Sequence, residues 1–165
     1  MYRYHFHTAV MWFISGMAAA VAATPTEPDP VEVRAIAEVE SRMVVHGREV
    51  RKLLPADRVV SGDWIIYTLE VRNTAPTTLH NPTVTYPVPE HMSYVADSAV
   101  GPATDVSFSV DGGHSFDAPE NLRLQDADGQ GHLAAAAEYT HIRWQLKHGL
   151  KGNSVAFVRF RARVK

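Results

Sequence analysis

The chain has 165 residues, with 16 Lys+Arg against 18 Asp+Glu, a formal net charge of −2 and no cysteine. A balance this close to neutral gives no footprint for nucleic acid. Without cysteine there is no disulfide, no lipid-bearing thiol, no zinc–thiolate site and no cysteine nucleophile, so the fold must hold by its core alone.

Residues 1–23 read as a cleaved secretory signal. Met1, Tyr2 and Arg3 make a weakly basic start, and residues 9–23 are uncharged, mostly apolar and end in small side chains. Ala20-Val21-Ala22 fits a small-x-small cleavage site, and the run is short for a bilayer span, which needs roughly 20 residues. Ala23 or Thr24 is the expected mature terminus, and an uncleaved anchor is the alternative. Residues 24–30, with Pro25, Pro28 and Pro30, form an extended spacer. Residues 31–165 are expected to be one domain.

Strand signals then follow in order. Val31, Val33, Ala35, Ala37 and Val39 alternate with Glu32, Arg34, Glu38 and Glu40, although the alanine-rich part at 35–41 also suits a helix. Residues 44–54 suggest a second strand, with His46-Gly47 as a turn. The clearest signal is at 62–74. Gly62-Asp63 opens it, Ile65, Tyr67, Leu69 and Val71 alternate with Ile66, Thr68, Glu70 and Arg72, and Asn73-Thr74 closes it. Residues 79–88 make a proline-interrupted strand suited to an edge or a strand end. Short strands are expected at 92–96, 106–110 and 121–124. A longer one at 138–146 carries Ile142, Trp144 and Leu146 on one face, and 154–165 is the closing strand. The one helix candidate, 133–138, is too short to stand alone. Short strands with regular turn signals predict an all-β sandwich of about seven to nine strands. Its expected core contains Tyr67, Leu69, Val71, Ile142, Trp144 and Phe160.

Gly62-Asp63-x-Ile65-x-Tyr67-Thr68-Leu69-x-Val71-x-Asn73-Thr74, Pro87-x-Pro89-Glu90-His91-Met92-x-Tyr94-Val95 and Ile142-x-Trp144 together resemble the conserved repeat domain of bacterial surface proteins, the family also labelled domain of unknown function number eleven. The resemblance spans residues 55–165. It implies an immunoglobulin-like sandwich, exported, of a kind often found in tandem arrays. His91 stands where the family usually turns on glycine, and the chain carries a single copy.

Catalytic and ligand motifs are sparse. Ser109, Asp111, Gly113 and Phe116 fit an Asp-box hairpin, in which the carboxylate accepts turn N–H groups and glycine supplies a positive φ. This is read as structural rather than as a sugar site. Asp126-Ala127-Asp128-Gly129-Gln130-Gly131 resembles a calcium loop, but its glycine and distant glutamate fall out of register for an EF-hand. His46, His80, His91, His114, His132, His141 and His148 form no His-x-His or His-x₃-His pair, and no Gly-x-Ser-x-Gly elbow exists. No catalytic, cofactor or metal residue is therefore expected.

The function expected is a non-enzymatic structural or interaction module of the cell envelope, periplasmic or external. Its partner would be an envelope protein or a surface polymer, with membrane contact only through an uncleaved signal. A small carbohydrate-binding domain with Trp64 and Phe157 as its platform is the rival. Arg159, Arg161, Arg163 and Lys165 share one strand face as a cationic stripe. The glutamates of the strand at 31–40 are expected to lie against it, with the first and last strands as neighbours.

Overall fold

A computed structural model describes residues 30–165; the expected signal at 1–23 and most of the expected spacer at 24–30 lie outside the described residues. Ten strands occur among them: β1 Val31–Val45, β2 Arg48–Pro55, β3 Trp64–Asn73, β4 Thr83–Pro87, β5 Met92–Tyr94, β6 Thr104–Ser109, β7 Arg123–Gln125, β8 Gly131–Leu133, β9 His141–Leu146 and β10 Val155–Val164. Eight build two antiparallel sheets, ordered β2-β1-β3-β10-β5 and β4-β9-β6, while β7 and β8 form a separate hairpin. The protein is all-β, with two sheets stacked as a sandwich.

The stacking follows from the period-two pattern. Ile65, Tyr67, Leu69 and Val71 of β3 and Val158, Phe160 and Ala162 of β10 are buried on the inner face of the large sheet. Val84 of β4 and Ile142, Trp144 and Leu146 of β9 are buried opposite them. All belong to one continuous apolar cluster. The Trp144 and Phe160 rings meet at 6.1 Å, and Phe160 stacks on Tyr67 at 4.9 Å. Tyr94, Phe108 and Tyr139 form a second aromatic group, with ring separations of 4.6–5.8 Å. Burial raises the pKa of Tyr67, Tyr94 and Tyr139 above that of a free phenol.

The alanine-rich stretch resolves as strand, and β1 runs on to Val45, well past the ambiguous segment. Only Ala136–Glu138 of the helix candidate is helical, as a 3₁₀ turn. β4 is an edge strand that ends on Pro87. A missing N–H is tolerated there, and it blunts the edge.

The relation between the first and last strands differs from expectation. β1 pairs with β3, and β3 pairs with β10, so β3 separates them. The glutamates and arginines do share the outer face of one sheet, but about 10 Å apart, two strand spacings. Periodicity assigned the face correctly; the pairing order is non-local and carries no periodic signal.

A candidate interaction surface on the outer sheet face

The outer face of the large sheet is a grid of cross-strand rows fixed by register. Glu32, Arg72 and Val155 form one row; Arg34, Glu70 and Phe157 the next; then Ile36, Thr68 and Arg159; then Glu38, Ile66 and Arg161; and last Trp64 and Arg163, with Ser93 beyond. Along β10 the order is therefore Phe157, Arg159, Arg161, Arg163. Same-face residues on a strand are spaced about 7 Å. Phe157 is 54% exposed and Trp64 42%.

Two short segments shape this face. Val100 exchanges backbone hydrogen bonds with Arg159, both at 2.8 Å. The Val95 N–H donates to the Arg161 carbonyl at 3.0 Å, and the Arg161 N–H donates to Ser98 Oγ at 3.0 Å. The loop at 95–101 thus forms a wall along β10. At the junction of wall and strand lie open clefts of about 580 Å³, lined by Thr68, Val100, Gly101, Phe157 and Arg159, and about 390 Å³, lined in part by Ser98, Arg159 and Arg161. A third, about 320 Å³, lies by Gly62, Ser93, Arg163 and Lys165. The Arg159 Nε–H donates to Thr68 Oγ1 at 3.1 Å. Among the described residues none of Arg159, Arg161, Arg163 and Lys165 forms an ion pair. Glu70 and Glu40, on the same face, are held by Arg72 at 2.7 Å and Arg51 at 3.1 Å.

Trp64 and Phe157 share the face but not one platform. Trp64 is opposite Arg163 and Phe157 opposite Glu70, which sets them about 20 Å apart along the strands. The arginines occupy the space between.

The Asp-box residues come together in the turn after β6. Asp111 Oδ1 accepts from the N–H groups of His114 and Ser115, each at 3.0 Å, and Oδ2 accepts from Ser115 Oγ at 2.6 Å. Ser109 Oγ donates to Asp111 Oδ1 at 2.7 Å and accepts from the Gly113 N–H at 2.9 Å. Gly112 and Gly113 take φ of 77° and 89°. These bonds, led by those of Ser115, hold the Asp111 carboxyl far below the usual aspartate range. Phe116 is half-buried, and the Arg143 guanidinium lies 3.5 Å from its ring centre. The carboxylate is thus spent on its own turn.

The loop at 126–131 caps the β7–β8 hairpin, where the Asp126 N–H donates to the Gln130 carbonyl at 2.7 Å. Asp126 also meets His132 at 3.0 Å. No group of three or more His, Asp or Glu placed to hold a metal ion occurs among the described residues. His91 adopts φ 61°, the left-handed region that glycine enters without strain. Asn73 was legible only as a strand end. It is fully buried, and its Nδ2 donates to the carbonyls of Thr77, Leu150 and Lys151 at 2.8–3.1 Å. Among the described residues no helix is long and apolar enough to cross a membrane. No family model, curated protein or solved structure matches the chain.

Proposed function

We propose that this protein is a non-enzymatic interaction module of the bacterial cell envelope that binds an anionic surface polymer along the outer face of β10. The observation that carries this reading is the row Arg159, Arg161, Arg163: three cations at even spacing, without ion pairs among the described residues, walled by 95–101 and ended by exposed aromatic rings. Evenly spaced cations beside a wall suit a linear chain of carboxylates or phosphates. Export rests on the apolar run at 9–23 and on the resemblance to surface-protein repeats.

The test is retention on immobilised polygalacturonate across a salt series. Binding should weaken as salt rises. The double variant Arg159→Glu/Arg161→Glu should bind at least about tenfold more weakly, a loss of about 1.4 kcal/mol. Equal retention on a neutral glucan, with loss only in Trp64→Ala and Phe157→Ala, would instead support the carbohydrate-platform reading. Retention on neither overturns both.

A further inference from the structure

The β1–β2 hairpin reaches beyond the sandwich. β3 accompanies β1 only as far as Val39 opposite Ile65, whereas β2 pairs with β1 from Glu38 through Val45. Residues 40–45 and 48–53 are thus a free two-stranded arm about 20 Å long. Its turn, His46-Gly47, has φ of 51° and 74°, the two positive values a type I′ turn requires. Two strands alone are marginal in water. This arm nevertheless exposes Met43, Val44, Val45, Val50 and Leu53, with Val44 75% exposed.

The arm also has an open edge. The Ala56 N–H donates to the Ala37 carbonyl at 3.1 Å, and alternation from there pairs Leu54 with Val39, Lys52 with Ser41, Val50 with Met43 and Arg48 with Val45 by hydrogen bonds. The backbone N–H and C=O of Glu49, Arg51 and Leu53 therefore point away from β1, along the outermost strand of the sheet.

We infer that this edge pairs with the same edge of a second copy, antiparallel about a twofold axis at Val50. Charge selects the register. Centring on Glu49, Arg51 or Lys52 sets like charges face to face with no opposite-charge pair to offset them, and centring on Leu53 sets Arg51 against Pro55, which has no donor. Centring on Val50 sets Glu49 opposite Arg51 of the second copy, twice. Arg51 already holds Glu40 at 3.1 Å, so charge alternates across the junction. On the other face Met43 and Val50 of one copy continue into Val50 and Met43 of the second as one apolar row. The tip of each arm ends level with Leu53 of the other, where the sandwich body begins, so the arms overlap fully. Arg48 comes opposite Lys52 of the second copy at both ends, and these long exposed side chains diverge into water. The two large sheets become one continuous sheet, closing the edge that each leaves open alone.

The test uses the full chain, which has no cysteine of its own. Val50 would face Val50 of the second copy in a non-hydrogen-bonded pair, where Cα atoms lie about 4.5 Å apart, within disulfide reach. Val50→Cys should therefore cross-link into dimers on mild oxidation, while Leu53→Cys, set opposite Gly47, should not. Sedimentation equilibrium should show monomer–dimer exchange, weakened about tenfold by Glu49→Arg and restored by Glu49→Arg with Arg51→Glu. Arg51→Pro, which removes an outward N–H together with the exposed pair to Glu40, should be monomeric with the body's melting nearly unchanged, since such a pair contributes about 0–1 kcal/mol. A monomer at every concentration, a dimer that survives Arg51→Pro, or equal cross-linking through Leu53→Cys overturns the inference. Binding of polygalacturonate is read separately, so failure here leaves that reading standing.

Discussion

Among the described residues Trp144 carries the largest fully buried side chain, and its indole Nε1 has no hydrogen-bond partner there. The residue is held by packing alone. Trp144→Ala should cost about 3–5 kcal/mol in urea denaturation. Trp144→Phe should cost much less, because it removes a buried donor that has no acceptor as well as part of the ring. A loss below about 1 kcal/mol for the alanine variant would contradict its place in the core. Asp111 makes a different prediction. Its carboxyl titrates below its ordinary 3.8 in the folded protein. Asp117 is lowered by Asn121 and Ala118, and Glu138 chiefly by the Ala135 N–H. For lowered carboxyls the unfolded chain binds more protons than the native one, so stability rises with pH. Their contribution is present above the unfolded values, 3.8 for the aspartates and 4.5 for Glu138, and is lost as the pH falls through and below them. Melting temperature should be flat near neutrality and decline toward pH 3, with a shallower decline in Asp111→Asn, itself less stable at pH 7.

At the scale of elements, Asn73 ties the end of β3 to the segment leading into β10. Besides its three donated bonds, its Oδ1 accepts from the Ala75 N–H at 3.0 Å, and the Asn153 N–H donates to the Ala75 carbonyl at 3.0 Å. Asn73→Ala should cost roughly 2–4 kcal/mol, several buried bonds at about 1 kcal/mol each. Thr74→Ala, on an exposed neighbour, should cost far less in the same titration. Much of the fold was legible because strand phase is local: the alternation at 65–72 set the core face of β3, and that at 158–164 set the cation face of β10. Asn73 was not, because its partners at 150 and 151 are distant in sequence. The wall at 95–101 and the arm beyond Val39 were hidden for the same reason. Both depend on which strand stops beside which, and side-chain period says nothing about that.

For the whole molecule, the two proposed surfaces are separate. The cation row lies over β10, near one side of the large sheet, and the arm leaves from β1 and β2 on the other. A second copy on β2 therefore leaves β10 open, and a dimer would present two cation rows on one sheet face. The order of the large sheet also bears on time. β3 sits at its centre, and its partner on one side, β10, comes only after all of β4 to β9. The central pairing thus requires closure of a long loop before any contact rewards it. Refolding should fall at the slow end for a domain this size, about milliseconds to seconds by stopped-flow fluorescence of the tryptophans. A fragment ending at residue 150 should show no cooperative melt. Until β10 arrives, the chain exposes the apolar inner face of β3 and an unpaired strand edge, the state most prone to aggregate.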